Sequence, residues 1–181
     1  MNATGPTPLI KQLGMYAAYH RDPRNIATHL FGVPMITFSV ICLLSRPVID
    51  LGGVALSPAW LAIAAVTVFY ARLDVRYALT MLLISSGFAW LSSFVAANAT
   101  AVWLGVAIGM FVVGWVIQFI GHYFEGKKPA FVDDLVGLLI GPLFIAAEVG
   151  FFVGLRKEVK AAIEKVAGPV RLRELRQLPA K

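Results

Sequence analysis

Five apolar runs organise the chain, at residues 31–45, 56–71, 77–97, 100–120 and 135–155. A helix needs about 20 apolar residues to cross a hydrocarbon core about 30 Å thick. The third and fourth runs meet that length. The second is near the lower limit, and the first is short, with Gly32 and Pro34 at its start. The fifth differs in kind: Gly141-Pro142 interrupts its middle, Glu148 sits near its end, and Asp133-Asp134 precede it.

The polar connections alternate in charge. Lys11, Arg21 and Arg24 precede the first run, Arg72 and Arg76 follow the second, and Lys127 and Lys128 follow the fourth. The connection at 96–100 carries no charge, and the first carries only Arg46 and Asp50. Basic loops stay on the cytoplasmic side, so the pattern predicts four spans with both termini cytoplasmic. A full crossing by the fifth run would export the tail, which holds eight of the sixteen basic residues. That run is therefore expected to re-enter or to lie in the interface, where protein can cover irregular backbone.

Both ends read as interfacial helices. Leu155, Val159, Ile163 and Val166 recur at helical spacing among Arg156, Lys157, Lys160 and Lys165, a basic amphipathic helix suited to a headgroup layer. Leu9, Leu13 and Tyr16 make a weaker stripe. The expected architecture is an all-α polytopic membrane helical bundle. It forms one membrane-embedded domain over 1–181: a histidine-bearing segment at 1–30, a bundle at 31–155 and a basic tail at 156–181. Gly105-x-x-x-Gly109 offers a close helix crossing.

Composition supports the membrane reading. Charged residues are 14% of the chain and hydrophobic residues 59%, with a mean hydropathy of +0.77. Soluble domains carry roughly 25% charged residues, so too little polar surface is present to wrap a water-soluble globule. The net charge of +6 is not a nucleic-acid signature. The tail has no aromatic after Phe152 to stack on bases, which points to a membrane surface instead. The first thirty residues hold charges and prolines rather than an apolar core, so no secretory signal is expected. A bacterial inner membrane or the endoplasmic reticulum is the expected location. Cys42 stands alone, which excludes an intrachain disulfide and a thiolate cluster.

Candidate chemistry lies in the three histidines. His20 and His29 precede the first run and His122 follows the fourth, so four spans place all three on one face. Imidazole is the commonest transition-metal ligand. A single helix cannot converge His20 and His29, because nine residues turn it through about 900°, half a turn out of phase. The Asp22-Pro23 turn lets two elements do so. Gln118, His122 and Glu125 share a helix face at i, i+4 and i+7. Two histidines and one carboxylate fit the facial triad of non-haem Fe(II) oxygenases, although this donor set also permits Zn, Ni or Mn. The bland alternative makes His122 a helix cap and Glu125 a solvated charge; three histidines on one face, with no others, favour the metal site.

Asp74, Asp133 and Glu148 are candidates for the ring outside the ligands. Their simpler roles are pairing of Asp74 with Arg72 and Arg76, and service by Glu148 to backbone freed by Pro142. An ionisable group in an apolar run is a functional candidate by default. No Gly-x-Ser-x-Gly elbow, P-loop or GxGxxG sequence is present.

At these clusters the chain resembles the membrane-bound 2-hydroxy fatty acid dioxygenases, known from fungal phytosphingosine breakdown and from bacterial relatives. The resemblance rests on Tyr19-His20, Asn25, His29 and Val33-Pro34. It continues through Gly114-Trp-Val-Ile-Gln-Phe-Ile-Gly-His122, Phe124-Glu125, Pro129-Ala130, Asp133-Asp134-Leu135, Pro142 and Glu148. It spans nearly the whole chain and is specific at the two ends. It implies an Fe(II)-dependent α-oxidation, in which a long-chain 2-hydroxy fatty acid reacts with O2 and leaves as an acid one carbon shorter. It implies His20, His29 and His122 as iron ligands, with Glu125 beside them. Arg24, Asn25, Gln118, Lys127 and Lys128 become candidates for contacting substrate. Two departures stand out: Arg21 occupies a position where fungal members carry a further histidine, and the His-to-Glu spacing is one residue shorter. The alternative from another class is a non-enzymatic transporter or scaffold, which would want ionisable residues or broken helices at the midplane; only the fifth run offers one.

Overall fold

The computed structural model describes residues 5–129 and 136–174. These form seven helices and one short hairpin. Helix α1 is Pro8–Ala17 and α2 is Pro23–Leu43. Strands β1, Ile49–Leu51, and β2, Val54–Leu56, pair antiparallel. Helices α3, Pro58–Ala71, α4, Val75–Ala96, and α5, Thr100–Glu125, follow. Then come α6, Gly137–Phe152, and α7, Lys157–Ala167.

Local chemistry sets the boundaries. Asp22 accepts a hydrogen bond from the Arg24 N–H at 2.9 Å, and Pro23 occupies the first turn, a side-chain cap with proline where no donor is missed. Helix α2 therefore starts well ahead of the apolar run and takes Asn25 and His29 into its first turns. Asp74 caps α4 in the same way, accepting from Arg76 and Tyr77 at 2.9 and 3.1 Å. Gly126, at φ 66°, ends α5 in the left-handed conformation that glycine tolerates best. The hairpin, unforeseen in the sequence, turns on Gly52 and Gly53, both at positive φ. Two consecutive positive φ values are what a tight hairpin turn demands.

Three helices, α2, α4 and α5, are long and apolar enough to cross a membrane. Helix α3 is apolar but has 14 residues, about 21 Å at 1.5 Å per residue. Helices α6 and α7 meet at 119°. Both ends of α6 are tied to the α3–α4 corner. Tyr70 Oη donates to Leu139 O at 2.6 Å, and Arg156, just beyond α6, pairs with Asp74 at 2.8 Å. Both ends of α6 thus pack against one corner of the bundle, and the sharp bend to α7 follows the broken pattern of the fifth apolar run.

Close crossing of α2 and α5 brings their histidines together. A Cβ on Gly32 would lie 2.9 Å from Gly114 O, and one on Gly121 would lie 2.6 Å from Asn25 Oδ1. The first is a close backbone approach of Gly32 and Gly114, which small residues permit; the second makes room for the Thr28 and Asn25 side chains. The Gly105–Gly109 pair, expected to serve this purpose, has nothing within 4 Å of either added Cβ. The crossing uses glycines one to three turns further along the same helix.

The terminal helices pack against the bundle and against each other. The apolar stripe of α7 lies partly inside the molecule: Val159 and Ile163 are buried in one core with Leu9 and Leu13 of α1 and Phe144 of α6. Val166 reaches Gly14 of α1, where a Cβ would meet its Cγ1 at 2.9 Å. The stripes of α1 and α7 thus pack partly on one another, while Leu155 and Val166 stay exposed.

Candidate metal centre

His20 sits in the turn after α1, His29 in the second turn of α2 and His122 in the last turn of α5. All three are buried, and one nitrogen from each lies within 4.8 Å of the other two. Their ring centroids are 4.5 to 5.0 Å apart. Among the described residues this is the group of histidines, cysteines and carboxylates able to hold a metal ion.

The hydrogen bonds fix the tautomers. His20 Nδ1 lies 2.8 Å from Tyr16 O, and His29 Nδ1 lies 2.9 Å from Asn25 O. A carbonyl oxygen only accepts, so each Nδ1 carries the proton and each Nε2 presents a lone pair. Those two Nε2 atoms face each other at 3.1 Å. Burial, then the neighbouring His29, holds the His20 pKa well below the ordinary histidine value, so His20 is neutral near pH 7. Two lone pairs at that distance repel unless a cation lies between them. His122 Nδ1 is buried without a hydrogen-bond partner among the described residues. Imidazoles that give one N–H to the backbone and aim the other nitrogen inward are the ordinary dress of metal ligands.

The surroundings orient this trio. The Tyr16 ring stacks on His20 at 4.2 Å and 7°, and Phe144 of α6 lies 5.6 Å from the same ring. Burial raises the Tyr16 pKa, so the phenol stays neutral. A cavity of about 60 Å³ adjoins His29, His122, Tyr16 and Gln118. Gln118 Oε1 is buried there with no partner among the described residues.

Glu125, left by its spacing as a ligand or a neighbour of the ligands, stands beside the histidines. It is fully buried and shares the face of His122, but it is not among the converging metal-binding groups. Its Oε2 accepts from the backbone N–H groups of Arg21 and Asp22 at 2.9 and 2.7 Å, and from Asn25 Nδ2 at 3.3 Å. Its Oε1 pairs with Arg173 at 3.1 Å. The carboxylate thus holds the turn that carries His20. Asn25 serves the same turn through Nδ2, which also donates to Tyr19 O at 3.1 Å.

Other candidates are committed elsewhere. Arg24 grips both oxygens of Asp22 at 2.9 and 2.8 Å and lies over Phe124. Lys127 donates to Ala18 O at 2.7 Å, and Lys128 is exposed. Asp74 pairs with Arg156, not with Arg72 or Arg76, and caps α4 away from the histidines. Glu148 lies 3.7 Å from Arg21 Nη2, so it balances a buried arginine beside the site. Asp133 and Asp134 lie outside the described residues.

Sequence reasoning missed a strap. Residues 168–173 run across the His20 turn. Arg171 N donates to Arg21 O at 2.9 Å, Arg173 N to Asp22 Oδ2 at 2.8 Å, and Arg24 Nη2 to Arg173 O at 2.8 Å. Arg21 Nη1 returns the contact to Gly168 O at 3.0 Å. Nothing in the basic tail marked these partners. The i, i+4 spacing of Tyr16 and His20 was the one local signal for the stacked ring.

Residues 7–102 and 92–153 match the family described as 2-hydroxy-palmitic acid dioxygenase Mpo1-like. The chain is also 34% identical over 164 residues to the 2-hydroxy-palmitic acid dioxygenase MPO1 of Saccharomyces cerevisiae, covering 88% of this chain and 90% of that protein. No solved structure matches it.

Proposed function

This chain belongs to the 2-hydroxy-palmitic acid dioxygenase Mpo1-like family, and from that premise we propose an Fe(II)-dependent dioxygenase that shortens long-chain 2-hydroxy fatty acids by one carbon. The observation that carries the reading is the pair of buried Nε2 lone pairs, His20 against His29 at 3.1 Å, with His122 Nδ1, without a partner among the described residues, beside them. That donor set fits a first-row divalent metal, and the yeast relative's oxygenase name favours iron over redox-inert zinc. Bound there, iron supplies the one-electron chemistry that lets O2 react with a closed-shell acid.

The residues of the chain do the rest. His20, His29 and His122 hold the ion, and backbone bonds keep the His20 and His29 rings in one tautomer. Tyr16 and Phe144 exclude water from one side of His20. Gln118 Oε1, an acceptor without a partner among the described residues in the adjoining cavity, takes the hydrogen bond of the substrate's 2-hydroxyl. Glu125 keeps the His20 turn in place. The atoms balance with one O2 consumed and CO2 and water released, so no further reductant is needed.

The site lies at one end of the bundle, level with the polar loops, where the head of a membrane lipid sits. The loop charges support a cytoplasmic placement of this end and of both termini, in a bacterial inner membrane or the endoplasmic reticulum. Anaerobic purification with iron, then addition of 2-hydroxypalmitate and oxygen, tests the reading, with product length read by mass spectrometry. The one-carbon-shorter acid should form with iron and not with zinc. Equal turnover of palmitate lacking the hydroxyl would overturn it, since the hydroxyl supplies a specific contact.

A further inference from the structure

A second, larger space lies beside the histidine pocket. It is a groove of about 730 Å³ between α2, α4 and α6, with mostly apolar walls. Val33, Thr37 and Pro142 line both this groove and the small cavity at His29, His122 and Gln118. The two spaces therefore adjoin, with these three residues between them where α2 meets α6. Along α4 the groove runs from Tyr77 at the histidine end past Met81 and Ile84 to Phe88. Eleven residues of helix measure about 16 Å, roughly half of a 30 Å hydrocarbon core. Its far end is closed by an aromatic pair, Phe38 edge-on to Phe88 at 5.9 Å.

Two arginines, Arg76 and Arg156, line the near end. Arg156 is already shared between Asp74 and Glu158 at 2.8 Å each. Thr37 gives its hydroxyl proton to Val33 O of its own helix at 2.9 Å, so it presents a methyl-bearing, satisfied surface where the two spaces adjoin. The volume lies within the roughly 300–1,000 Å³ of ligand pockets.

We propose that this groove holds the acyl chain of the substrate, entering at Val33, Thr37 and Pro142, with Met81, Ile84 and Phe88 setting the chain length accepted. The proposal rests on the functional reading above and adds the site and its ruler. Polar recognition is confined to the small cavity at the histidines, and the groove contributes apolar contact that grows with each carbon. One methylene withdrawn from such contact costs about fourfold in binding.

Two measurements test it. In the first, wild type and Ile84→Trp are assayed against 2-hydroxy acids of increasing length. The indole should shift the optimum to shorter chains: longer acids lose more than tenfold in kcat/KM and short acids stay within about twofold. An unchanged length profile in folded, active Ile84→Trp protein overturns the proposal. In the second, a 2-hydroxy acid carrying a terminal diazirine is photolysed with the detergent-solubilised wild-type protein. Labels should map to α4 between Met81 and Phe88 and be displaced by 2-hydroxypalmitate but not by phospholipid. Labels elsewhere, or equal displacement by phospholipid, overturn it by showing an ordinary lipid-facing cleft. The second measurement needs no turnover. Labelling in the groove by an inactive protein would sink the dioxygenase reading alone, whereas activity without groove labelling would sink the groove alone.

Discussion

Glu125 offers a sharp test because its spacing allows two kinds of work. As a metal ligand, its loss should resemble the loss of a histidine. As the anchor of the His20 turn, it should act on stability first and on metal second. Replacement by alanine would strand the N–H groups of Arg21 and Asp22 and the Arg173 guanidinium, all now bonded to the carboxylate at 2.7 to 3.1 Å. Hydrogen bonds to a charged group contribute about 1.5–3 kcal/mol each, and not additively. Breaking a buried pair by removing one partner costs about 3–5 kcal/mol. Glu125→Ala should therefore lose about 3–5 kcal/mol, a large share of a typical stability of about 5–15 kcal/mol. Glu125→Gln keeps an acceptor for the two N–H groups and loses only the charge facing Arg173, so about 1–3 kcal/mol is expected. Denaturant titration of detergent-solubilised protein reads the stability, and metal analysis reads the iron. Gln should keep near-stoichiometric iron and Ala should lose part of it. If Glu125→Gln sheds iron as completely as His122→Ala while its stability is unchanged, the carboxylate is a ligand and the anchoring argument fails.

His20→Ala, His29→Ala and His122→Ala should each lose most of the bound iron, because a partial ligand set cannot restore the geometry; full retention in all three would remove the site. Gly121→Ala places a methyl 2.6 Å from Asn25 Oδ1 and should cost about 1–3 kcal/mol by overpacking. Gly109→Ala, facing open space, should stay within about 0.5 kcal/mol, and equal costs in the two would show that the crossing is misassigned. The Asp74 pKa is lowered, first by its hydrogen bond from Arg156. Its stabilisation is full above the unfolded value of about 3.9 and fades as pH falls through the lower folded value. Asp74→Asn, which can still cap α4, should lose no more than about 1 kcal/mol at neutral pH and flatten the stability profile below about pH 4; an identical acid slope in both proteins would refute the pairing. With Cys42 replaced, single cysteines in the tail should react with a membrane-impermeant thiol reagent only after lysis, and labelling of intact cells would reverse the proposed orientation.

The sequence made the bundle legible through its longest-range regularity, the spacing of apolar runs and basic loops. It was less informative where polar residues enter a helix. Helix α2 begins at Pro23, yet hydropathy alone starts the run at residue 31. The Asp22-Pro23 signal, present in the sequence, explains the difference. Gly-x-x-x-Gly spacing was a poor guide because it does not say which helix face meets a neighbour. The crossing is made by Gly114 and Gly121, a different face of α5 from the Gly105–Gly109 pair. Convergence of the three histidines followed from topology, since antiparallel helices return their ends to one side.

The i, i+3 relation of His122 and Glu125 correctly put both on one buried face, but spacing cannot tell whether a carboxylate meets a metal or a peptide N–H. That depends on what the adjoining turn needs. The turn at 18–22 leaves Arg21 N and Asp22 N buried without helical partners, and unpaired buried donors are costly. Glu125 answers that demand, its remaining oxygen calls for a cation, and Arg173 supplies it from far along the chain. Arg21 closes the same circuit: its side chain bonds Ala17 O, His20 O and Gly168 O and faces Glu148. It joins α1, the His20 turn, α6 and the strap. A metal site whose first histidine lies on a turn needs such a frame, because a ligand displaced by an ångström no longer converges with the other two. The strap and the carboxylate give a loop histidine the fixed position that His29 and His122 inherit from their helices.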